Sequence, residues 1–494
     1  MSQTKRSANV SGAGIQHGGN PVCGVPTDRA PAATGAAGQH GGHPVRGDRT
    51  DGASAATGAA GAIPARIAAT LLGALKGGVV PRVGLGYITV GRVDEIDALL
   101  HDVETIISGG ATFRFVVGRY GAGKSFLLQA IRNYAMDRGF VVADCDLSPE
   151  RRLCGNKGEG LATYRELMKN LGTKTSPDGG ALPLLLQRWL NALRVEAMEE
   201  RGLSADDAGL DRWVELKIQK TILELQANVH GFDFAQVITI YWKAARDGDD
   251  ERLGNALRWL RGEYGTKSEA KRELGVGAVI GDGDWYEYVK LFSLFVVKAG
   301  YRGMLMLVDE LVNIYKIPHS ISRQYNYEKI LSIYNDVMQG KARHLGVIMS
   351  GTPQCVEDAR RGVFSYEALK SRLESSRFVD GDTRDLLSPI IRLKPLEPTE
   401  IYVLLEKLEQ IHGQVYGYAP ALSPEELTVF IEREYVRVGA DQNITPREII
   451  RDFIQVLDIL LQNPGKTMQS ILGGSFEFSK SMAAGGDIFS GFEI

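Results

Sequence analysis

The chain has 494 residues, a formal net charge of −3, 44% hydrophobic residues and four cysteines. That length suits about two or three domains, and the small net charge carries no global mark of a nucleic-acid binder, although a local basic patch fits within it. No run is apolar enough to span a bilayer, no apolar leader opens the sequence, and Cys23, Cys145, Cys154 and Cys355 show neither metal-site nor disulfide spacing, so the sequence reads as soluble, without membrane contact and suited to a reducing cytoplasm.

Residues 1–62 contain no aromatic side chain and are rich in Gly, Ala, Pro, Thr and His. Such a segment buries too little apolar surface to offset the entropy of ordering. It contains a tandem duplication, Gln16–Gly38 followed at once by Gln39–Gly61. Two low-complexity copies do not build a solenoid. The segment therefore reads as a disordered extension, with a flexible tether or a weak metal site through His17, His40 and His43 as the functional alternatives.

Folded sequence begins near Ile63. Residues 64–76 have helical periodicity with Pro64 in the first turn, and Gly77, Gly78 and Pro81 end that helix. Gly91 and Arg92 precede a helical stretch from Glu95 to Ile107. An apolar run, Phe113 to Val117, then meets the octet Gly118-Arg119-Tyr120-Gly121-Ala122-Gly123-Lys124-Ser125, and a helix-compatible stretch from Ser125 to Met136 follows. The octet fits the G-x-x-x-x-G-K-[ST] pattern of a phosphate-binding loop in the strand-loop-helix setting that the pattern requires. Gly118, Gly121 and Gly123 lack Cβ atoms, so the backbone wraps tightly and turns its N–H groups inward. The helix adds the positive end of its dipole. Lys124 is expected to reach the β- and γ-phosphates of ATP and Ser125 to ligate Mg²⁺. The nucleotide contacts are expected to run on to Phe126.

Phe140 to Asp146 reads as a second short buried strand. From Arg151 to Gly283 the chain is mostly helical and richly charged, with Trp189, Trp213, Trp242 and Trp259. This block is too long for a plain α/β connection and reads as an inserted helical subdomain whose aromatics pack its core. Met304 to Val308 is a continuous apolar strand that ends in Asp309 and Glu310. Carboxylates at the C-terminal end of a central strand stand where α/β sheets bind ligands. With a phosphate loop upstream, Asp309 is expected to hold Mg²⁺ and Glu310 to polarise the attacking water. A further strand, Leu345 to Met349, ends in Ser350-Gly351-Thr352-Pro353, and Pro389 to Leu393 is a plausible last strand. Residues 398–412, 423–436 and 446–462 are three helix candidates, and Thr445, Pro446 and Glu448 form a capping box for the third. The tail, 466–494, holds Phe476, Phe478, Phe489 and Phe492 and reads either as a docking peptide or as a fraying end.

The segments GRVDE, VVGRYGAGKSFLL, VADCDLSPERRL, LVDELVNIY, MSGTPQ, YEALKSRL and ITPREIIRDF, in this order, together resemble the BREX-system ATP-binding domain family. These are bacterial P-loop ATPases of AAA+ type, related in outline to the ORC/Cdc6 and STAND branches. The resemblance covers about residues 63–465. It implies an α/β fold of the P-loop NTPase (AAA+-like) kind, with a parallel sheet sandwiched by helices, a large helical insertion and a small helical lid. In the numbering of this chain, 1–62 is then an extension, 63–150 and 284–395 the ATPase base, 151–283 the insertion, 396–465 the lid and 466–494 a tail. It also implies roles: Gly91 and Arg92 close to the adenine, Ser350 or Thr352 at the γ-phosphate (sensor 1), Arg372 or Arg377 as a trans-acting arginine finger, and Arg447 reaching the γ-phosphate from the lid (sensor 2). An ordinary structural reading stands beside each: a helix start for the first, a strand cap for the second, solvated arginines for the others. The implied activity is Mg²⁺-dependent ATP binding and hydrolysis within a bacterial anti-phage defence system, with a nucleotide-gated interaction switch of negligible turnover, or an initiator- or loader-like DNA-binding ATPase, as the alternatives. The implied partners are proteins of that system, with DNA and further copies of the chain as additional candidates. Too few residues follow the lid for a winged helix, which argues against direct ORC-like duplex binding.

Overall fold

The structure is a computed structural model, and it describes residues 63–207, 209–226, 228–374, 385–438 and 445–473. The duplicated segment, its histidines, Arg377 and the phenylalanines of the tail lie outside the described residues. Helix α1 (Ala65–Lys76) stops at Gly77 and Gly78, the second of which has φ +68°. A single turn, α2 (Leu85–Ile88), and helix α3 (Val93–Ile107) lead into strand β1 (Ala111–Val117), and the glycine-rich octet joins β1 to α4 (Lys124–Asp137). Strand β2 (Val141–Asp146) follows. Seven helices then precede the next strand: α5 (Glu159–Lys169), α6 (Leu182–Arg201), α7 (Leu210–Gln226), α8 (Gly231–Asp247), α9 (Asp250–Leu260), α10 (Lys267–Leu274) and α11 (Trp285–Lys298). Strand β3 (Met304–Asp309), α12 (Val312–Tyr315), α13 (Ser320–Met338), β4 (Leu345–Gly351), α14 (Pro353–Glu357), α15 (Glu367–Leu373) and β5 (Ile390–Arg392) complete the sheet region. The described chain ends in α16 (Pro398–Tyr416), α17 (Pro424–Val438), α18 (Pro446–Gln462) and α19 (Met468–Gly473).

The five strands form one parallel sheet in the order β2-β3-β4-β1-β5. Because β4 stands between β1 and β3, the glycine-rich loop, the residues after β4 and the acids after β3 leave the same edge side by side. The register makes this concrete: Val117 pairs with Gly351, Val308 with Met349, and Asp146 with Asp309. Every strand is covered on both faces, which explains its nearly continuous apolar runs. One face (Phe113, Phe115, Val117, Val141, Met304, Met306 and Val308) shares an apolar cluster with helices between β2 and β3 and with α13. The other (Val116, Val142, Leu305, Leu307 and Ile348) packs on α3 and α4.

The run Phe113 to Val117 is interrupted by Arg114, and the fold neutralises that charge completely. Its Nε and Nη2 donate to the two carboxylate oxygens of Asp102 on α3 at 2.6 and 2.7 Å, while Nη1 donates to the carbonyl oxygens of Leu386, Leu387 and Ser388. A buried guanidinium persists only where every N–H finds such a partner.

The helices between β2 and β3 are not a separate core, because their buried side chains continue the cluster on the sheet face. Trp189 packs edge-on to Phe295 at 5.1 Å, and Phe234 to Phe292 at 5.0 Å. Trp189, Trp242 and Trp259 are buried, and the half-buried Trp213 receives the Arg201 guanidinium 3.7 Å from its ring centroid. A second cluster unites α1 (Ala68, Leu71, Leu72, Leu75) with α16, α17 and α18. By chain order α1 precedes the sheet, but by packing it stands with the C-terminal helices. Lys76 Nζ donates to Asp458 Oδ1 at 2.7 Å and to the Tyr416 hydroxyl at 3.0 Å, which ties its last turn to α18 and α16.

Candidate functional site

The octet closes on itself as its glycines require. Gly121 has φ +77° and Gly123 φ +93°, conformations that side chains with a Cβ adopt at a cost. Gly118 N–H donates to Gly351 O at 3.1 Å and Ala122 N–H to Arg119 O at 3.2 Å, so the loop is anchored to β4 and folded over its own first residues. Gly123 caps α4, which places the unpaired N–H groups of that helix at the loop. Lys124 Nζ donates to Arg119 O at 2.9 Å and lies 5.5 Å from the centroid of the exposed Tyr120 ring. Burial holds the Lys124 ammonium below the usual lysine range, with Asp309 and Glu310 opposing it.

Three oxygen-bearing side chains meet next to Lys124 in the fold. Ser125 Oγ donates to Asp309 Oδ2 at 2.6 Å, and Ser350 Oγ donates to Asp309 Oδ1. Strand order produces this meeting, since Ser125 follows the loop after β1, Ser350 is the penultimate residue of β4 and Asp309 ends β3. Thr352, the other candidate after β4, is buried, caps α14 and brings its Oγ1 within 3.0 Å of Cys355 Sγ. Glu310 has φ +63°, a left-handed conformation that costs a non-glycine residue about 1–2 kcal/mol. Its backbone N–H is held by Asp309 Oδ1 at 2.7 Å. Such strain persists only where its surroundings fix it, and it concentrates at working sites.

Lys124, Ser125 and Glu310 line one end of a cavity of about 190 Å³. On the same measure a single water takes about 10–15 Å³, so the space suits a ligand of several rings. Tyr120, Gly121, Ala122, Gly123 and Phe126 complete the loop side, and Arg447 and Pro446 reach in from α18. The far end is apolar and comes from three separated stretches: Leu75, Val79, Val80, Ile88 and Val90; Leu396 and Leu404; and Ile450. Of the cavity's lining, the sequence marked the loop with Phe126, Arg92, Glu310 and Arg447. The apolar wall carries no local signature beyond ordinary helical periodicity.

Arg92 borders the cavity but is buried, and its Nη2 donates to Ala122 O at 3.1 Å and Lys394 O at 2.9 Å. It clamps the loop to the segment after β5. Gly91 has φ +64° and lies beneath the Glu400 carboxylate, which a Cβ there would meet at 2.5 Å. Arg372 does not line the cavity; it is exposed on α15, where Nη1 donates to Ala368 O at 2.6 Å. Asp146, at the end of β2 beside Asp309, received no role from sequence. Burial, reinforced by Asp309, Asp144 and Glu310, raises its carboxyl above the usual range. Among the described residues, no group of three or more His, Cys, Asp or Glu side chains forms a metal cage. The pair Ser125–Asp309 offers hard oxygens only. That donor set fits Mg²⁺, which takes few protein oxygens and completes its shell with water and phosphate. Among the described residues, no helix is long and apolar enough to cross a membrane.

The profile of the family described as BREX system ATP-binding protein BrxC/D matches residues 63–475. No curated protein matches the chain. The match spans most of the sequence, and the chain belongs to that family.

Proposed function

We propose that this member of the BREX ATP-binding family is a Mg²⁺-dependent ATPase of AAA+ type. The observation that carries this reading is the convergence of Ser125 and Ser350 on Asp309, with Ser125, its neighbour Lys124 and Glu310 also lining a cavity that has an extensive apolar wall. The apolar end takes the adenine, and the loop amides with Lys124 neutralise the triphosphate. Ser125 and Asp309 would hold Mg²⁺, which when bound would supply positive charge against the triphosphate. Ser350 orients the Asp309 carboxylate. Glu310 takes a proton from the attacking water as its oxygen bonds to the γ-phosphorus; the bond from that phosphorus to the β–γ bridging oxygen breaks, and ADP leaves with the electron pair. Arg447 meets the γ-phosphate from the helices after β5, which act as a lid over residues 396–465, and residues 151–283 act as an inserted module. Proteins of the same defence system, DNA and further copies of the chain are the partners whose engagement the nucleotide state would set, in the cytoplasm.

Steady-state phosphate release tests hydrolysis. Glu310→Gln is expected to keep ATP binding and lose on the order of 10²- to 10⁴-fold in turnover; undiminished turnover removes Glu310 from the general-base role. A second reading is a nucleotide-gated switch with negligible turnover. It is favoured by the direct seating of α16 and α18 residues on Gly91 and Gly121, which links the lid to the loop mechanically. Phosphate release at background level with intact ATP binding selects it.

A further inference from the structure

Gly121 is an unspecified position of the G-x-x-x-x-G-K-[ST] pattern, and besides its positive φ it has a close neighbour from outside the loop. A Cβ on Gly121 would stand 2.6 Å from Thr445 Oγ1 and 2.8 Å from Thr445 Cβ. The Thr445 side chain therefore occupies the space that any side chain at 121 would need. Thr445 is the N-cap of α18, and its hydroxyl is held twice by one residue: Oγ1 accepts from Glu448 N–H at 3.4 Å and donates to Glu448 Oε2 at 2.9 Å. Pro446 follows with its φ fixed by the ring, and Arg447 comes next, lining the cavity. A short and stiff path thus runs from the phosphate loop to the Arg447 guanidinium. The lid has a second seat on the other side, where Glu400 of α16 lies on Gly91, so loosening the Thr445 seat leaves the lid docked.

We propose that Thr445 is a positioning residue: seated on Gly121 and locked by Glu448, it sets the place of Arg447 over the γ-phosphate according to the conformation of the phosphate loop. This rests on the reading of the cavity as an ATP site. The test compares the ATP and ADP affinities of wild type, Thr445→Ala, Thr445→Ser, Arg447→Ala and the Thr445→Ala/Arg447→Ala double variant. Arg447→Ala is expected to weaken ATP by on the order of tenfold and to leave ADP nearly unchanged. Thr445→Ala should do the same, Thr445→Ser should restore wild-type affinity, and the double variant should be no weaker than Arg447→Ala alone. A merely structural loss would weaken both nucleotides alike, because Leu404 and Ile450 of the apolar end also stand on the lid. Equal weakening of ATP and ADP, additive losses in the double variant, or an Arg447→Ala protein with wild-type ATP affinity overturns the proposal while the ATP reading stands. Wild-type protein that binds neither nucleotide removes both.

Discussion

Replacing Arg92 by alanine separates a structural clamp from a nucleotide contact. The residue is 5% exposed, and its Nη2 ties Ala122 of the glycine-rich loop to Lys394 after β5. Each of those is a hydrogen bond from a charged donor, worth about 1.5–3 kcal/mol. Its partner Glu95 is 4% exposed, stands 3.5 Å from Nη1, and has no hydrogen bond on Oε2. Truncation would therefore strand a buried carboxylate as well as release the loop. Removing one partner of a buried pair costs about 3–5 kcal/mol, and we expect Arg92→Ala to lie in that range. By thermal unfolding without nucleotide, Tm should fall by about 3–6 °C. An Arg92→Met/Glu95→Gln protein removes both charges and should recover half or more of the loss, since the two sites are coupled. An Arg92→Ala protein with wild-type Tm and impaired ATP binding would refute the clamp and return Arg92 to a ligand contact.

Two further predictions concern titration. Burial pushes the Cys145 thiol up to about 12, so at pH 8 only about one molecule in ten thousand carries the reactive thiolate; iodoacetamide at that pH should leave Cys145 unmodified until denaturant is added, and rapid labelling of the native protein would contradict the packing described. His412 is fully buried, with Nδ1 2.6 Å from the Tyr418 hydroxyl and Nε2 3.1 Å from Asp458 Oδ1, and burial holds its pKa below the ordinary value against the pull of Asp458 and Glu409, with Lys76 acting in the same direction as burial. The unfolded chain takes up this proton near pH 6.5, as a free histidine does, before the folded chain does, so the stability contributed is complete above that pH and declines as pH falls towards the lowered folded value. Urea midpoints at pH 7.5 and 5.5 should differ more for wild type than for His412→Gln; identical differences would sink the assignment.

Much of the sheet was legible because its strands are covered on both faces. The runs at 113–117, 140–146, 304–308 and 345–349 fall on β1 (Ala111–Val117), β2 (Val141–Asp146), β3 (Met304–Asp309) and β4 (Leu345–Gly351), and the helices at 446–462 and 64–76 announced themselves by caps and periodicity. The octet stood out for a different reason, its residue types at fixed spacing, and Asp309 stood out by its place at the end of an apolar strand. What stayed hidden depends on contacts between distant segments. Nothing near Arg114 marks Asp102 as its partner, and nothing in α1 says that its apolar stripe will meet α16 and α18 rather than the sheet. The apolar end of the cavity is built from residues near 75–90, 396–404 and 450, each of which alone looks like ordinary core. Ser350 and Thr352 were equivalent in sequence; only the approach of β4 to β3 turns Ser350 onto Asp309 and leaves Thr352 to Cys355.

The most direct test is equilibrium titration of the purified full chain with labelled ATP, with and without Mg²⁺, beside the Lys124→Ala variant. Saturable binding that strengthens with Mg²⁺ and weakens at least about tenfold in Lys124→Ala is the predicted result. Absence of binding by wild-type protein, or equal affinity in the two proteins, would contradict the assignment of this cavity to a nucleotide.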